Sequence, residues 1–119
     1  MAQFQLLELV KFKVVPEDNP AEEGILLDGT LSLPFTLHRS WSGNEGYYFE
    51  QILIRSGGRQ VYTGSPMQIF VRGLQSITSY EDRIGDRIPL EAGACELVFV
   101  IDDVEMDAVS VPVKALANV

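Results

Sequence analysis

The chain has 119 residues, enough for one domain with a core of its own, and 46% of them are apolar against 22% charged. Seventeen acids face nine Lys and Arg residues, a net charge of −8. A surface of that sign repels phosphate and anionic lipid, and the bases fall singly apart from Lys11 and Lys13, so nucleic-acid and membrane partners are not expected.

The single cysteine, Cys95, has no partner within the chain for a disulfide. The opening residues Met1 to Glu8 carry neither a basic leader nor a long apolar run. Both features point to the reducing cytoplasm, and no stretch reaches the apolar length that spans a bilayer.

In chain order, Gln3 to Val15 reads as a long strand, or two strand segments meeting at a bulge near Leu7. Phe4, Leu6, Val10, Phe12 and Val14 share one parity, with Lys11 and Lys13 on the other face; a helix is the competing reading. Pro16 to Gly24 is an acidic loop. Strands at Ile25–Leu27 and Thr30–Leu37 flank the Asp28-Gly29 turn, and Pro34 predicts an edge or a bend in the second of them. Ser42 to Gly46 is a second loop. Tyr47 to Arg55 and Arg59 to Thr63 form a hairpin around Ser56-Gly57-Gly58, and Met67 to Val71 is a further strand. Ile77 to Ile88, where Asp82-Arg83-Ile84 recurs as Asp86-Arg87-Ile88, reads as a polar crossover between sheets.

The last third is the most legible. Cys95, Leu97, Phe99 and Ile101 alternate with the period of two that lines one face of a strand. Val109, Val111 and Val113 repeat the pattern after an acidic turn. Residues 1–119 are therefore expected to form a single all-β domain, an antiparallel sandwich of seven to nine strands, with a small β-barrel as the alternative. Leu90-Glu91-Ala92-Gly93-Ala94-Cys95 resembles the Leu-x-x-Gly-x-Tyr corner of immunoglobulin-like and fibronectin-like domains, including small bacterial members of that class. Cys95 stands where that class commonly has tyrosine, and no cysteine precedes Trp41. The resemblance implies a scaffold and transfers no functional residue.

Chemistry-bearing residues are sparse. One histidine (His38) and one cysteine exclude a zinc set, and no phosphate-binding Gly loop leads into a helix. His38 alternates out of phase with Phe35 and Leu37, which directs it to solvent; Cys95 is in phase with its apolar neighbours, which buries it as a small hydrophobe. Asp102, Asp103, Glu105 and Asp107 read as a solvated hairpin tip rather than a calcium loop. No cofactor, metal or enzymatic activity is expected.

The remaining reading is a non-catalytic interaction or structural module acting through a sheet edge or a loop surface. Phe4, Leu6, Leu7 and Leu9 on the first strand are the expected association edge, pairing most simply as a homodimer. The alternative is a small-ligand or carbohydrate-binding domain built on residues 39–50. There Trp41, Asn44, Tyr47 and Tyr48 would combine ring stacking with directed hydrogen bonds.

Overall fold

A computed structural model describes residues 7–73 and 75–116. Their strands are β1 (Leu7–Pro16), β2 (Ile25–Asp28), β3 (Leu31–Ser32), β4 (Phe35–Gly43), β5 (Gly46–Ser56), β6 (Arg59–Thr63), β7 (Met67–Val71), β8 (Thr78–Ile84), β9 (Gly93–Ile101) and β10 (Val104–Ala115). They form two sheets facing each other, a β-sandwich. The smaller sheet runs β1-β4-β8. The larger runs β3-β2-β10-β9-β5-β6, with β7 also paired to β5.

The described residues form ten strands rather than seven to nine, because Thr30–Leu37 divides between β3 and β4 and because Ile77–Ile88 is not a crossover. Its first half is β8, antiparallel to β4 from Phe35↔Ile84 to Trp41↔Thr78. The expected all-antiparallel order also fails at one place: β2 lies parallel to β10, with Val113 opposite Ile25. The loop before β2 carries the chain from the small sheet to the large one, so β2 enters alongside the last strand. Gly24 makes that approach possible. At φ 107° it occupies backbone space that L side chains avoid, and a Cβ there would lie 2.4 Å from the Pro112 carbonyl oxygen. Pro34 falls where the expected strand Thr30–Leu37 breaks in two, just after β3, which is the outer strand of the large sheet. It lies between β3, in the large sheet, and β4, the centre of the small one.

Alternation carries the core. Phe35, Leu37 and Trp41 point inward from β4, and Leu97, Phe99 and Ile101 from β9, all buried. Trp41 meets Phe99 edge-on at 5.6 Å between ring centroids, and Phe12 meets the same ring at 5.9 Å. These contacts join the two sheets, and edge-to-face geometry adds roughly 0.5–1.5 kcal/mol per pair beyond area burial.

The first strand changes phase midway. The irregularity in its pairing with β4 falls between Leu9 and Lys11, not at Leu7. Leu7 and Leu9 face inward before it, Phe12 and Val14 after it, while Val10 is exposed. An extra residue in the ladder shifts the inward set by one position, which is what a β-bulge does.

One corner of the sandwich is sealed by side chains. The Tyr80 hydroxyl donates to the Phe70 carbonyl at 2.8 Å and accepts the Phe70 N–H at 2.7 Å, so β8 caps the outer backbone edge of β7. Thr78 accepts the Arg72 N–H at 3.2 Å beside it.

Candidate binding surfaces

The four residues expected to form an aromatic loop site are divided by the pleat. Trp41 is fully buried, and Tyr48 is buried with its hydroxyl donating to the Asn44 carbonyl at 2.7 Å. Burial, then the charge of Asp102, pushes the Tyr48 phenol's pKa up. The expected loop is in fact a tight link: β4 ends at Gly43 and β5 begins at Gly46, leaving only Asn44 and Glu45 between. Trp41 and Tyr48 therefore belong to the core. Asn44 is exposed at the turn, and Tyr47 alone of the three aromatic residues faces water, 69% exposed.

Tyr47 has different companions. Two residues on, Phe49 projects from the same outer face of β5 and is 56% exposed. Phe70 lies opposite Tyr47 on β7, with ring centroids 4.9 Å apart and planes inclined by 52°. Phe49 is fixed by the neighbouring hairpin tip: its N–H donates to Asp102 Oδ1 and its carbonyl accepts the Asp102 N–H, both at 2.9 Å. Polar groups border the rings. Gln68 is opposite Phe49, and Gln51 follows on the same face, its amide donating to the Gly64 carbonyl at 2.8 Å. Phe49, Gln51, Pro66, Val100, Asp102 and Asp103 line a recess of about 320 Å³ at one end. Phe49 and Phe70 were missed in the sequence. The signal was available in the period of two, which separates Tyr47 and Phe49 from Tyr48.

The small sheet presents a second surface on its outer side. Register aligns Lys11, Ser40 and Ser79 in one row across the three strands and Lys13, His38 and Glu81 in the next. Ser40 and Ser79 join hydroxyls at 2.7 Å, and His38 Nδ1 lies 3.3 Å from Glu81 Oε1. With Val10 at one side these residues line an open concavity of about 800 Å³.

Beneath that surface lies a buried charge cluster. Arg39 is 1% exposed and Glu50 2%, one from each sheet. Arg39 Nε donates to Glu50 Oε2 at 3.0 Å, Nη2 bonds the other carboxylate oxygen, and Trp41 Nε1 donates to Oε2 at 2.8 Å. Asp82 approaches the guanidinium from β8, and the Tyr80 ring lies 5.7 Å from its centre. Burial pulls the Arg39 pKa down, but the Glu50 bond and the charges of Glu50 and Asp82 outweigh it and the net shift is upward. The guanidinium stays charged.

His38 and Cys95 do not meet. The imidazole is on the outer side of the small sheet, whereas the thiol is buried between the sheets on β9. Desolvation pushes the thiol pKa up to about 11, so little thiolate forms at neutral pH. Among the described residues no three His, Cys, Asp or Glu side chains converge as a metal set. Glu105 instead bonds Arg55 at 2.9 Å, and Asp107 accepts the Ala108 N–H at 2.9 Å.

The expected association edge is changed as well. Phe4 and Leu6 lie outside the described residues. Leu7 is buried in the core and Leu9 is half-buried, so neither presents an exposed apolar ridge, because the bulge turns both inward. β1 is nevertheless the outer strand of its sheet, with Lys11 and Lys13 exposed along it.

No family model matches the chain, and no curated protein matches it in sequence. Solved structures similar to it in fold include a β-glucosidase from Listeria innocua in complex with isofagomine, at TM-score 0.56 and 11% identity. A second structure of that β-glucosidase matches at TM-score 0.55 and 12% identity. Each match covers 94% of this chain and 16% of the glucosidase chain. At this identity the likeness is one of fold.

Proposed function

We propose that this β-sandwich is a non-catalytic binding module whose aromatic face, formed by Tyr47 and Phe49 on β5 and Phe70 on β7, takes the ring faces of a carbohydrate. The observation that carries the reading is the exposure of two successive outward aromatic residues, at 69% and 56%, beside a third ring. Leaving apolar area in water costs on the order of 25 cal/mol per Å², and a ligand that covers it recovers that cost. A sugar offers flat C–H faces for the rings and hydroxyls for Gln68, Asp102 and Asp103. The similar structures belong to a sugar-cleaving enzyme, which supports trying sugars first. The buried, protonated Cys95 and the separate His38 support a role without catalysis. An immunoglobulin-like arrangement and a cytoplasmic setting are part of the same proposal, resting on the Leu90–Cys95 corner and the free thiol.

Calorimetric titration with neutral oligosaccharides of several linkages tests the reading. Saturable binding is expected for at least one. The Tyr47→Ser/Phe49→Ser variant is expected to lose it by tenfold or more at unchanged melting temperature. Absence of binding across the panel, or binding indifferent to both substitutions, counts against it.

A second reading is contact with protein, including a second copy of this chain along β1. Its support is that β1 is the outer strand of the small sheet. The bulge after Leu9 and the two edge lysines oppose it, since irregular edges and like charges brought face to face disfavour strand pairing. Sedimentation at micromolar concentration tests it: a dimer that dissociates when residues 2–9 are removed supports the edge reading, and a monomer counts against it.

A further inference from the structure

We propose that the concave outer face of the small sheet is a second, separate site for a singly charged sugar acid, with Lys11 and Lys13 receiving the carboxylate. The floor consists of the short Ser40 and Ser79 side chains, and the longer Lys11, Lys13, His38 and Glu81 border it, leaving an open concavity of about 800 Å³. That is the size range of small-ligand pockets, roughly 300–1,000 Å³. The lining mixes charged and hydroxyl groups with apolar surface, Val10, Phe12 and Tyr80 being among its residues, so the ligand must offer both polar groups and C–H faces, as a sugar ring does.

Charge selects it further. Arg39, Arg55, Arg83, Arg87 and Lys114 each stand within salt-bridge distance of an acid. Lys11, Lys13, Arg59 and Arg72 have no such partner among the described residues, and of these four only Lys11 and Lys13 lie two positions apart on one face of one strand. Two ammonium groups without counter-ions are thus held together on a chain of net charge −8. Glu8 and Glu81 share this face, as does Arg83, which is bound to Glu17 at 2.7 Å. The surrounding negative field disfavours a polyanion, whereas one carboxylate meets the lysines at little cost. The Ser40–Ser79 pair uses one hydroxyl proton between two oxygens and keeps hydrogen-bonding capacity for ligand hydroxyls, and Glu81 adds acceptors. A neutral sugar leaves the lysines unsatisfied, and inorganic phosphate leaves the hydroxyl floor unused.

Titration of isotope-labelled protein with glucuronate, followed by amide chemical shifts, tests the inference with glucose and inorganic phosphate as controls. Saturable shifts are expected in residues 10–13, 38–40 and 79–81, with both controls at least tenfold weaker. Lys11→Gln/Lys13→Gln should weaken glucuronate binding at least tenfold. Tyr47→Ser should leave it unchanged, which separates this site from the aromatic face. The inference is overturned if glucuronate leaves these amides unmoved, if glucose or phosphate binds there as well as glucuronate does, or if the double lysine variant binds normally.

Discussion

Arg39 of β4 and Glu50 of β5 face each other across the sandwich and join its two sheets by a doubly hydrogen-bonded ion pair with almost no solvent exposure. The carboxylate also accepts the Trp41 indole N–H, so one acid holds the guanidinium and the largest core side chain in place. Removing one partner strands a buried charge. Glu50→Leu is expected to cost about 3–5 kcal/mol in urea unfolding. Arg39→Met/Glu50→Leu should cost clearly less than Glu50→Leu alone, because the buried pair leaves together and only Asp82, which is partly open to water, loses its partner. Equal losses in the single and double variants would show that the pair contributes by volume and not by charge.

Cys95 should be inert in the folded protein and should make stability depend on alkaline pH. Its pKa rises from 9.0 to about 11 through desolvation. Between those values the unfolded thiol gives up its proton while the folded one keeps it. The folded state then binds the extra proton, so stability is full below pH 9 and falls as pH rises toward 11. The loss approaches about 1.4 kcal/mol per pH unit. The stability difference between wild type and Cys95→Val should therefore shift with pH in this window, and thiol labelling at pH 8 should be slow until denaturant is added. Rapid stoichiometric labelling of the native protein would contradict the assignment.

The β9–β10 turn keeps two non-glycine residues at positive φ, Asp102 at 48° and Asp103 at 67°. This is the backbone of a two-residue type I′ hairpin, which favours Asn-Gly. Asp103→Gly should raise stability by about 0.5–1 kcal/mol, since Asp103 gives up left-handed strain and takes no part in the Phe49 hydrogen bonds. Asp102→Ala should lower stability by about 1–2 kcal/mol, because the part of the tip that anchors Phe49 would be lost. Thermal melts of the two variants should move in opposite directions. Movement in the same direction would show that the turn is not strained in this way.

The closing hairpin was legible because its inward positions, Cys95 to Ile101, are all apolar and its turn is polar. β8 was not, because Asp82 occupies an inward position. Only the buried Arg39 makes an acid acceptable there, and that partner lies on another strand. Arg39 shares the parity of the inward Phe35, Leu37 and Trp41, a signal in β4 that was present in the sequence and was not read. Sequence proximity misled the reading of the aromatic cluster. Trp41, Tyr47 and Tyr48 are neighbours along the chain, yet the pleat sends Trp41 and Tyr48 into the core and leaves Tyr47 to pair with Phe70, which lies 23 positions further along. The phase change in β1 depends on an extra residue at the bulge, and the apolar run Leu6, Leu7, Leu9, Val10 fits more than one position for it.

The most direct measurement of the central claim is an amide chemical-shift map of the labelled protein with a neutral oligosaccharide that binds it. Shifts concentrated at Tyr47 to Gln51, Gln68 to Phe70 and the Asp102-Asp103 turn, and absent in Tyr47→Ser/Phe49→Ser, are the expected result. Shifts centred elsewhere, or persisting unchanged in that variant, would contradict the assignment of the aromatic face as the binding surface.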